Sequence, residues 1–358
     1  LGVQGLVYAW IYQSFNFGIL NSYDPYVWVL AFVLYDLSYY WLHRCHHEIK
    51  ILWASHVVHH HGEEFNLSTA LRQTGTDFLF KWIFYCPLLL LGVPPEIFVT
   101  VAALNLIYQF WVHTEHIDRL GILDYILVTP SNHRIHHAQN KEYVDANYGG
   151  VFILWDRLFG TFIDERKDLK PIYGTSKPLK SWNPFWANFE VWVEMIRDAW
   201  RTEKWSDKVR VFFSRPKWRP EDVTQKYPIE KNDMSAFQKF DPKINLTSKL
   251  FGFWQLVFGS TFSMLVFFNV SLLTYLDLFL VGFVLTSTLV FASFLFENNF
   301  YGYYLELIRS GSVLVLVALG NLNFLQEVLI AHSIVSVLVC LYVIFFNKRK
   351  FTEAIEAG

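Results

Sequence analysis

The chain has 358 residues, of which 53% are hydrophobic, 19% aromatic and only 17% charged, with a formal net charge of -2. Soluble domains carry about 25% charged residues, so an ordinary soluble globule is excluded and no nucleic-acid partner is expected. Three widely spaced cysteines, Cys45, Cys86 and Cys340, leave neither a disulfide framework nor a CxxC metal site.

In chain order, apolar runs long enough to cross a bilayer core of about 30 Å fall at residues 6–20, which is short and amphipathic, and 26–42. Residues 78–93 and 97–112 form a second pair, a hairpin turned at Pro94 and Pro95. A polar stretch follows over 113–249, and four more runs fill the C-terminal third, at about 250–272, 275–296, 303–322 and 328–346. The fold class expected is therefore all-α, an integral-membrane helical bundle. The organisation expected is a histidine-bearing membrane domain at 1–199 and a polar linker at 200–249, marked by Pro216, Pro220, Pro228 and Pro242. A four-helix membrane bundle at 250–347 and a basic tail at 348–358 complete it. The chain opens on Leu rather than Met, so an upstream segment is expected and no targeting signal is read.

All histidines but His332 fall between residues 43 and 137. They lie in HRCHH (His43, His46, His47), HVVHHH (His56, His59, His60, His61), HTEH (His113, His116) and HRIHH (His133, His136, His137). Residues three and four apart share one face of a helix, and neutral imidazole is the commonest metal-ligating side chain. A single such histidine is more often a satisfied core or surface group. This many, so grouped, point to two metal ions held mostly by nitrogen. Iron, copper, zinc and nickel all suit such ligands. A zinc protease needs HExxH, and the nearest approach, His47-Glu48-Ile49-Lys50-Ile51, lacks the second histidine. Carboxylate-bridged di-iron bundles need Glu-x-x-His pairs, and too few are present. The setting selects iron, because oxidising a lipid C–H bond with O₂ takes a redox metal.

Between the second and fourth runs an even number of crossings separates the histidine groups, which places them on one face. Asparagine sequons at Asn66 and Asn245 fall on that face too, as do all but Lys81 and Arg309 of the 30 Lys and Arg residues. By the positive-inside rule this face is cytoplasmic, in the endoplasmic reticulum of a eukaryote or the inner membrane of a bacterium. Asp36, Tyr40, His43 and His47 form one helical stripe, and an acid within a span is costly unless paired. Asp36 is accordingly expected to accept a hydrogen bond from a ligand histidine. Gln109, His113 and His116 repeat the arrangement on the fourth run, with Gln109 in the same supporting role.

HRCHH, HVVHH and HRIHH resemble the three histidine boxes of the fatty acid hydroxylase superfamily, the integral-membrane di-iron enzymes that include sterol desaturases. The longer runs YDLSYYWLHRCHHE, WASHVVHHHGEEFNLSTALRQ, LIYQFWVHTE and TPSNHRIHHAQNKEYVDANYGGVFILWDRLFGTF are similar to its ether-lipid-cleaving branch, over residues 1 to about 165. The resemblance implies metal ligation by His43 and His47, by His56, His59 and His60, and by His133, His136 and His137, with His113 completing the set. Glu48 then stands as a ligand or a nearby base. His46, His61 and His116 fall outside the pattern, and Asn132 stands where histidine is frequent. The activity implied is O₂-dependent hydroxylation of the ether-bearing carbon of an alkylglycerol or lyso ether lipid, followed by collapse to a fatty aldehyde and a free glycerol. Two Fe ions and tetrahydrobiopterin are the implied cofactors, with the pterin rather than a protein as electron donor. Trp111, Trp155, Phe159 and Phe162 are aromatic candidates for stacking a pterin, against a commoner role in packing. The alternative is a di-iron hydroxylase or desaturase of a sterol, fatty acid or carotenoid fed by a cytochrome. A membrane metal transporter fits less well, because a conduction path needs histidines through the spans.

Overall fold

A computed structural model describes residues 2–319 and 325–347. The expected basic tail, with Lys348, Arg349 and Lys350, and the end of the expected 303–322 run lie outside the described residues. Among the described residues every named element is helical, joined by two isolated β-bridges, Leu127 with Phe152 and Ala138 with Tyr173. Two compact units emerge, residues 1–179 with 188–239, and residues 180–187 with 240–358.

The first unit begins with α1 (Gly2–Phe15), which stops where Asn16 Nδ2 donates to the Tyr12 carbonyl and Gly18 takes a φ of 68°. Pro25, pre-set for a first helical turn, opens α2 (Pro25–Glu48). Three short helices follow: α3 (Lys50–Ala54), α4 (Val57–His60) and α5 (Leu67–Ala70). Next comes an apolar hairpin, α6 (Lys81–Leu90) and α7 (Pro95–Trp111). Gly92, at φ 90°, makes its turn, and the missing N–H of Pro95 costs nothing at a helix start. Val27, Ala31 and Tyr35 of α2 meet Tyr85, Leu88 and Leu89 of α6 and Ile97, Phe98 and Val101 of α7 in one core. The Tyr35 and Tyr85 rings stack at 4.4 Å.

Past this hairpin lie α8 (Pro130–His136), α9 (Leu154–Leu158), α10 (Pro184–Arg201), α11 (Trp205–Phe213) and α12 (Glu221–Lys226). Much of the charged stretch after residue 200 packs inside this unit. Val211 joins Ala54 and Met195 in a small core, the Lys50 N–H donates to the Ser214 carbonyl at 2.8 Å, and the Lys50 ammonium donates to the Trp218 carbonyl.

The second unit contains α13 (Leu246–Phe268), α14 (Tyr275–Phe296), α15 (Tyr301–Leu319) and α16 (Leu325–Tyr342). Among the described residues all eight apolar runs read from the sequence are mainly helical, but three helices are both long and apolar enough to cross a membrane: Leu246–Phe268, Tyr275–Phe296 and Leu325–Phe346. These three make the chain an integral membrane protein. The others fall short for local reasons. At 14, 10 and 17 residues, α1, α6 and α7 are curtailed by their turns, α2 carries Asp36 and three histidines, and α15 carries Glu306 and Arg309. Inside the second unit Arg309 Nε donates to Glu306 at 2.8 Å, and Gln255 Nε2 donates to Glu306 at 3.2 Å and to Ser336 at 3.1 Å. His332, the one histidine outside the sequence cluster, lies here, its Nε2 3.0 Å from Gln255 Oε1.

Candidate metal centre

Four segments of the first unit converge. α2 presents His43 and His47 one turn apart. It ends at Ile49, whose extended backbone (φ -121°) turns the chain into α3. α4, preceded by His56, then supplies His59 and His60. His113 follows the end of α7, and α8, with His137 after it, supplies His133 and His136. α8 starts cleanly because Thr129 and Asn132 cap it reciprocally, the Thr129 N–H donating to Asn132 Oδ1 at 3.1 Å. Asn132 thus supports the helix that carries three of the histidines.

The side chains form two groups. His43, His47, His56, His60 and His136 make one, and His59, His113, His133 and His137 the other, with the nitrogens of each group within 4.8 Å of one another. In the first, His43 Nε2 lies 3.1 Å from His56 Nε2, which is 3.2 Å from His60 Nε2. In the second, His133 Nε2 lies 2.9 Å from His113 Nε2 and 3.1 Å from His137 Nε2. Of the nine rings, seven are buried, and His56 and His59 are partly so.

Backbone carbonyls fix several of the ring tautomers. Nδ1 of His43 reaches Tyr148 O at 2.9 Å, that of His59 reaches Arg72 O at 3.2 Å, that of His113 reaches Gln109 O at 2.8 Å, and that of His136 reaches Ala146 O at 2.9 Å. A carbonyl only accepts, so these Nδ1 atoms carry the proton and each Nε2 is a lone pair. His59 Nε2 and His113 Nε2 therefore face each other, lone pair to lone pair, at 3.3 Å. No hydrogen bond satisfies that contact; a cation between them does. Metal–nitrogen bonds of about 2.0–2.1 Å put neighbouring ligand nitrogens about 3 Å apart, so the residues present fit a metal ion. His136 Nε2 has no hydrogen-bond partner, as a metal-facing atom requires. Burial first, and neighbouring imidazoles after it, hold the rings well below the usual histidine range, His136 at about 4. They stay neutral at physiological pH, the form that binds metal.

The other sequence candidates fall elsewhere. Asp36 reaches no histidine, contrary to the sequence expectation. Its carboxylate accepts from Asn105 Nδ2 (2.7 Å), the Val151 N–H (2.8 Å), the Phe152 N–H (3.0 Å) and Trp155 Nε1 (2.9 Å). These donors are nearer than any ring and use up its lone pairs. Gln109 meets His113 through its backbone carbonyl, while its side chain donates to Asn105 Oδ1 at 2.5 Å. Glu48 is in neither group; its carboxylate takes Arg44 Nε at 3.0 Å, one helical turn away. His46 stacks on His56 at 4.8 Å, His61 is buried and His116 exposed, all outside the two groups. Of the aromatic candidates, Trp155 donates to Asp36, Phe159 stacks on Tyr40 at 5.3 Å, Phe162 lies under Arg157, and Trp111 packs edge-on to Tyr108.

Several supporting residues were not singled out in the sequence. Asn105 joins Gln109 to Asp36. Asp156 accepts the N–H groups of Tyr148 and Gly149 at 2.7 and 2.8 Å and so shapes the loop that holds His43. Arg134 makes a bidentate pair with Glu165 and donates to the carbonyls of Thr114 and Ile117, pinning the chain after His113 to α8. Asn105, a polar residue inside the 97–112 apolar run, carries the one signal that could have marked it, while Asp156 and Arg134 lie in the polar stretch and carry none. A cavity of about 710 Å³ opens beside His47, His60, His136 and His137, walled also by Lys177 and Glu194. That volume lies within the range of small-molecule sites, about 300–1,000 Å³.

Residues 28–161, the segment that contains both histidine groups, match the family model for fatty acid hydroxylase. Over this segment the chain is similar to fatty acid hydroxylases. The chain is also similar to alkylglycerol monooxygenases. The identity is 40% over 68% of this chain and 54% of the Xenopus tropicalis protein, and 44% over 61% and 48% for that of Danio rerio. For the Homo sapiens protein it is 42% over 60% and 47%. The chain spans about half the length of these curated relatives. The chain is also similar to an ornithine lipid hydroxylase of Rhizobium tropici, 35% identical over 37% of this chain and 41% of that protein. No solved structure matches.

Proposed function

We propose that the chain is a membrane di-iron monooxygenase that cleaves the O-alkyl bond of glyceryl ethers, using O₂ and tetrahydrobiopterin. The observation that carries the metal part is the lone-pair contact of His59 with His113 inside two all-histidine groups. Similarity to proteins named alkylglycerol monooxygenase supports the substrate. His43, His47, His56, His60 and His136 would hold one iron, and His59, His113, His133 and His137 the other. When bound, the two irons supply the redox chemistry that activates O₂ for attack on an unactivated C–H bond.

The chain's own residues do the positioning. The carbonyls of Tyr148, Arg72, Gln109 and Ala146 hold the rings in the ligating tautomer. Asp36 acts indirectly, by anchoring the Val151–Phe152 backbone just past the Tyr148 carbonyl. Gln109 acts through its carbonyl and through Asn105, and Glu48 orients Arg44 at the rim. The cavity beside His47 and His60 admits the glycerol head or the pterin from the polar side. Hydroxylation inserts one oxygen atom of O₂ into the ether-bearing C–H bond, while two electrons and two protons carry the other to water. The hemiacetal then breaks its C–O bond, giving the aldehyde and returning the proton to the glycerol oxygen. In this reading residues 1–199 are catalytic together with the part of the 200–249 stretch, to Lys239, that packs on them, and 250–347 anchor. The charge asymmetry supports a cytoplasmic histidine face, in the endoplasmic reticulum of a eukaryote.

The test is fatty aldehyde formation by iron-loaded membranes given an alkylglycerol, O₂ and tetrahydrobiopterin, beside an arm with NADPH and a cytochrome reductase. Pterin-dependent aldehyde that disappears in His59→Ala is the expected result. Silence with pterin, despite two irons per chain, overturns the ether-cleaving reading in favour of hydroxylation of another lipid.

A further inference from the structure

α10 is amphipathic the wrong way round for a solvated helix. Glu190, Glu194 and Asp198, at steps of four, turn inward. Lys177 donates to Glu190 and to Glu194, and Arg219 makes a two-pronged pair with Asp198 at 2.7 and 2.8 Å. This acidic stripe also walls the cavity beside the histidines, through Glu190 and Glu194. Half a helical turn away, Ile196 and Trp200 face outward, Trp200 being 85% exposed. On α11, Trp205, Val209 and Phe213, again at steps of four, face outward, with Trp205 82% exposed. Val211, on its opposite side, is fully buried.

In water, two tryptophans and three large aliphatic or aromatic side chains forgo the stabilisation that burial would give them. Exposed apolar surface on this scale marks a partner. Cations surround it: Arg197, Arg201, Lys204 and Arg210 are exposed along the two helices, against Glu203 as the exposed acid between them. An apolar stripe edged by Arg and Lys, with tryptophans at the junction of two helices, is the pattern of a helix lying in the headgroup–acyl boundary of a bilayer. Long basic side chains there extend outward to anionic headgroups. The chain already resides in a membrane by its three spanning helices, so the bilayer is at hand as partner. We infer that residues 196–213, the end of α10 and all of α11, form an in-plane membrane-surface element. Its apolar stripe is seated in lipid while the acidic face of α10 closes one wall of the histidine cavity. A lipid can then approach that cavity from the membrane surface, whichever oxidation the centre performs.

The test uses the unaltered full chain in nanodiscs of phosphatidylcholine with phosphatidylserine, doped with a phosphatidylcholine that carries a diazirine in its acyl chain. After photolysis, peptides are mapped by mass spectrometry. Adducts on 196–213 are expected at a yield near that of α14 and at least about tenfold above the polar peptide 229–239, as burial at the acyl boundary requires. Labelling of α14 without labelling of 196–213 overturns the inference. So does a lysine-reactive cross-link between Lys204 residues of two copies with no lipid adduct, which makes a second copy the occupant. The double substitution Trp200→Glu with Trp205→Glu should lower the 196–213 adducts about tenfold and leave α14 unchanged; unchanged labelling at both sites also counts against it.

Discussion

Asp36 on α2 and Gln109 on α7 are joined through a single side chain: Asn105 donates to Asp36 and accepts from Gln109. One end of this chain holds the Val151 and Phe152 N–H groups, and the other is the residue whose carbonyl fixes His113. Asp36→Asn turns an acceptor of four donors into a side chain whose amide clashes with some of them. A loss of about 2–4 kcal/mol is expected, with iron affinity falling about 10–100-fold. Thermal unfolding and iron titration of the purified variant check both figures. Gly150→Ala should act in the same direction, since its new β-carbon would lie 2.8 Å from Asp36 Oδ1.

Removing ligands should separate the two groups. His133→Ala is expected to lower bound iron from two per chain toward one and to abolish turnover. His47→Ala should do the same through the other group. His116→Ala should keep both irons, because that ring is exposed and belongs to neither group. Metal analysis of detergent-purified protein reads the outcome directly, and full iron in His133→Ala would break the assignment.

Acid should strip the centre while mild base should not. Buried His113 and His136 are held at about 4, below the ordinary 6.5 of an unfolded histidine. Below 6.5 the unfolded chain binds more protons than the folded one, so stability is full above that value and declines toward about 4. Protons compete with metal over the same window. Iron retained after dialysis at stepped pH should therefore fall between about 6.5 and 4. Loss on the alkaline side instead would contradict this account.

In the second unit, Arg309→Met leaves Glu306 buried without its cation and should cost about 3–5 kcal/mol. The double variant Glu306→Gln with Arg309→Met should recover much of that. Unfolding in detergent monitored by tryptophan fluorescence compares the two, and an equal loss in both would remove the ion pair from the explanation.

Much of this architecture is written in short-range pattern. The steps of four that put His43 and His47 on one helical face are visible in the letters, and so is the helical character of every apolar run. Span length is less legible, because it is decided by where turns close. Asn16 and Gly18 end α1 early, and Gly92 ends the α6 turn, through local hydrogen bonds and φ values rather than through hydropathy. The partition of the histidines is not legible at all. His59 and His60 are neighbours in one box yet belong to different groups, since successive residues of a helix point about 100° apart. The partners of Asp36 were equally hidden, for three of its four donors come from a segment more than a hundred residues away.

That division between adjacent residues has a mechanical consequence. His59 and His60 share one peptide bond within the four-residue α4, and each contributes to a different group. At this point the two groups are tied by covalent geometry, in addition to the packing of α2 and α7 that brings in His43, His47 and His113. Lateral pressure or a change in bilayer thickness can tilt α2 or α7, but it cannot stretch a peptide bond. A tilt of α2 would move His43 and His47, but it would leave the link between His59 and His60 unchanged.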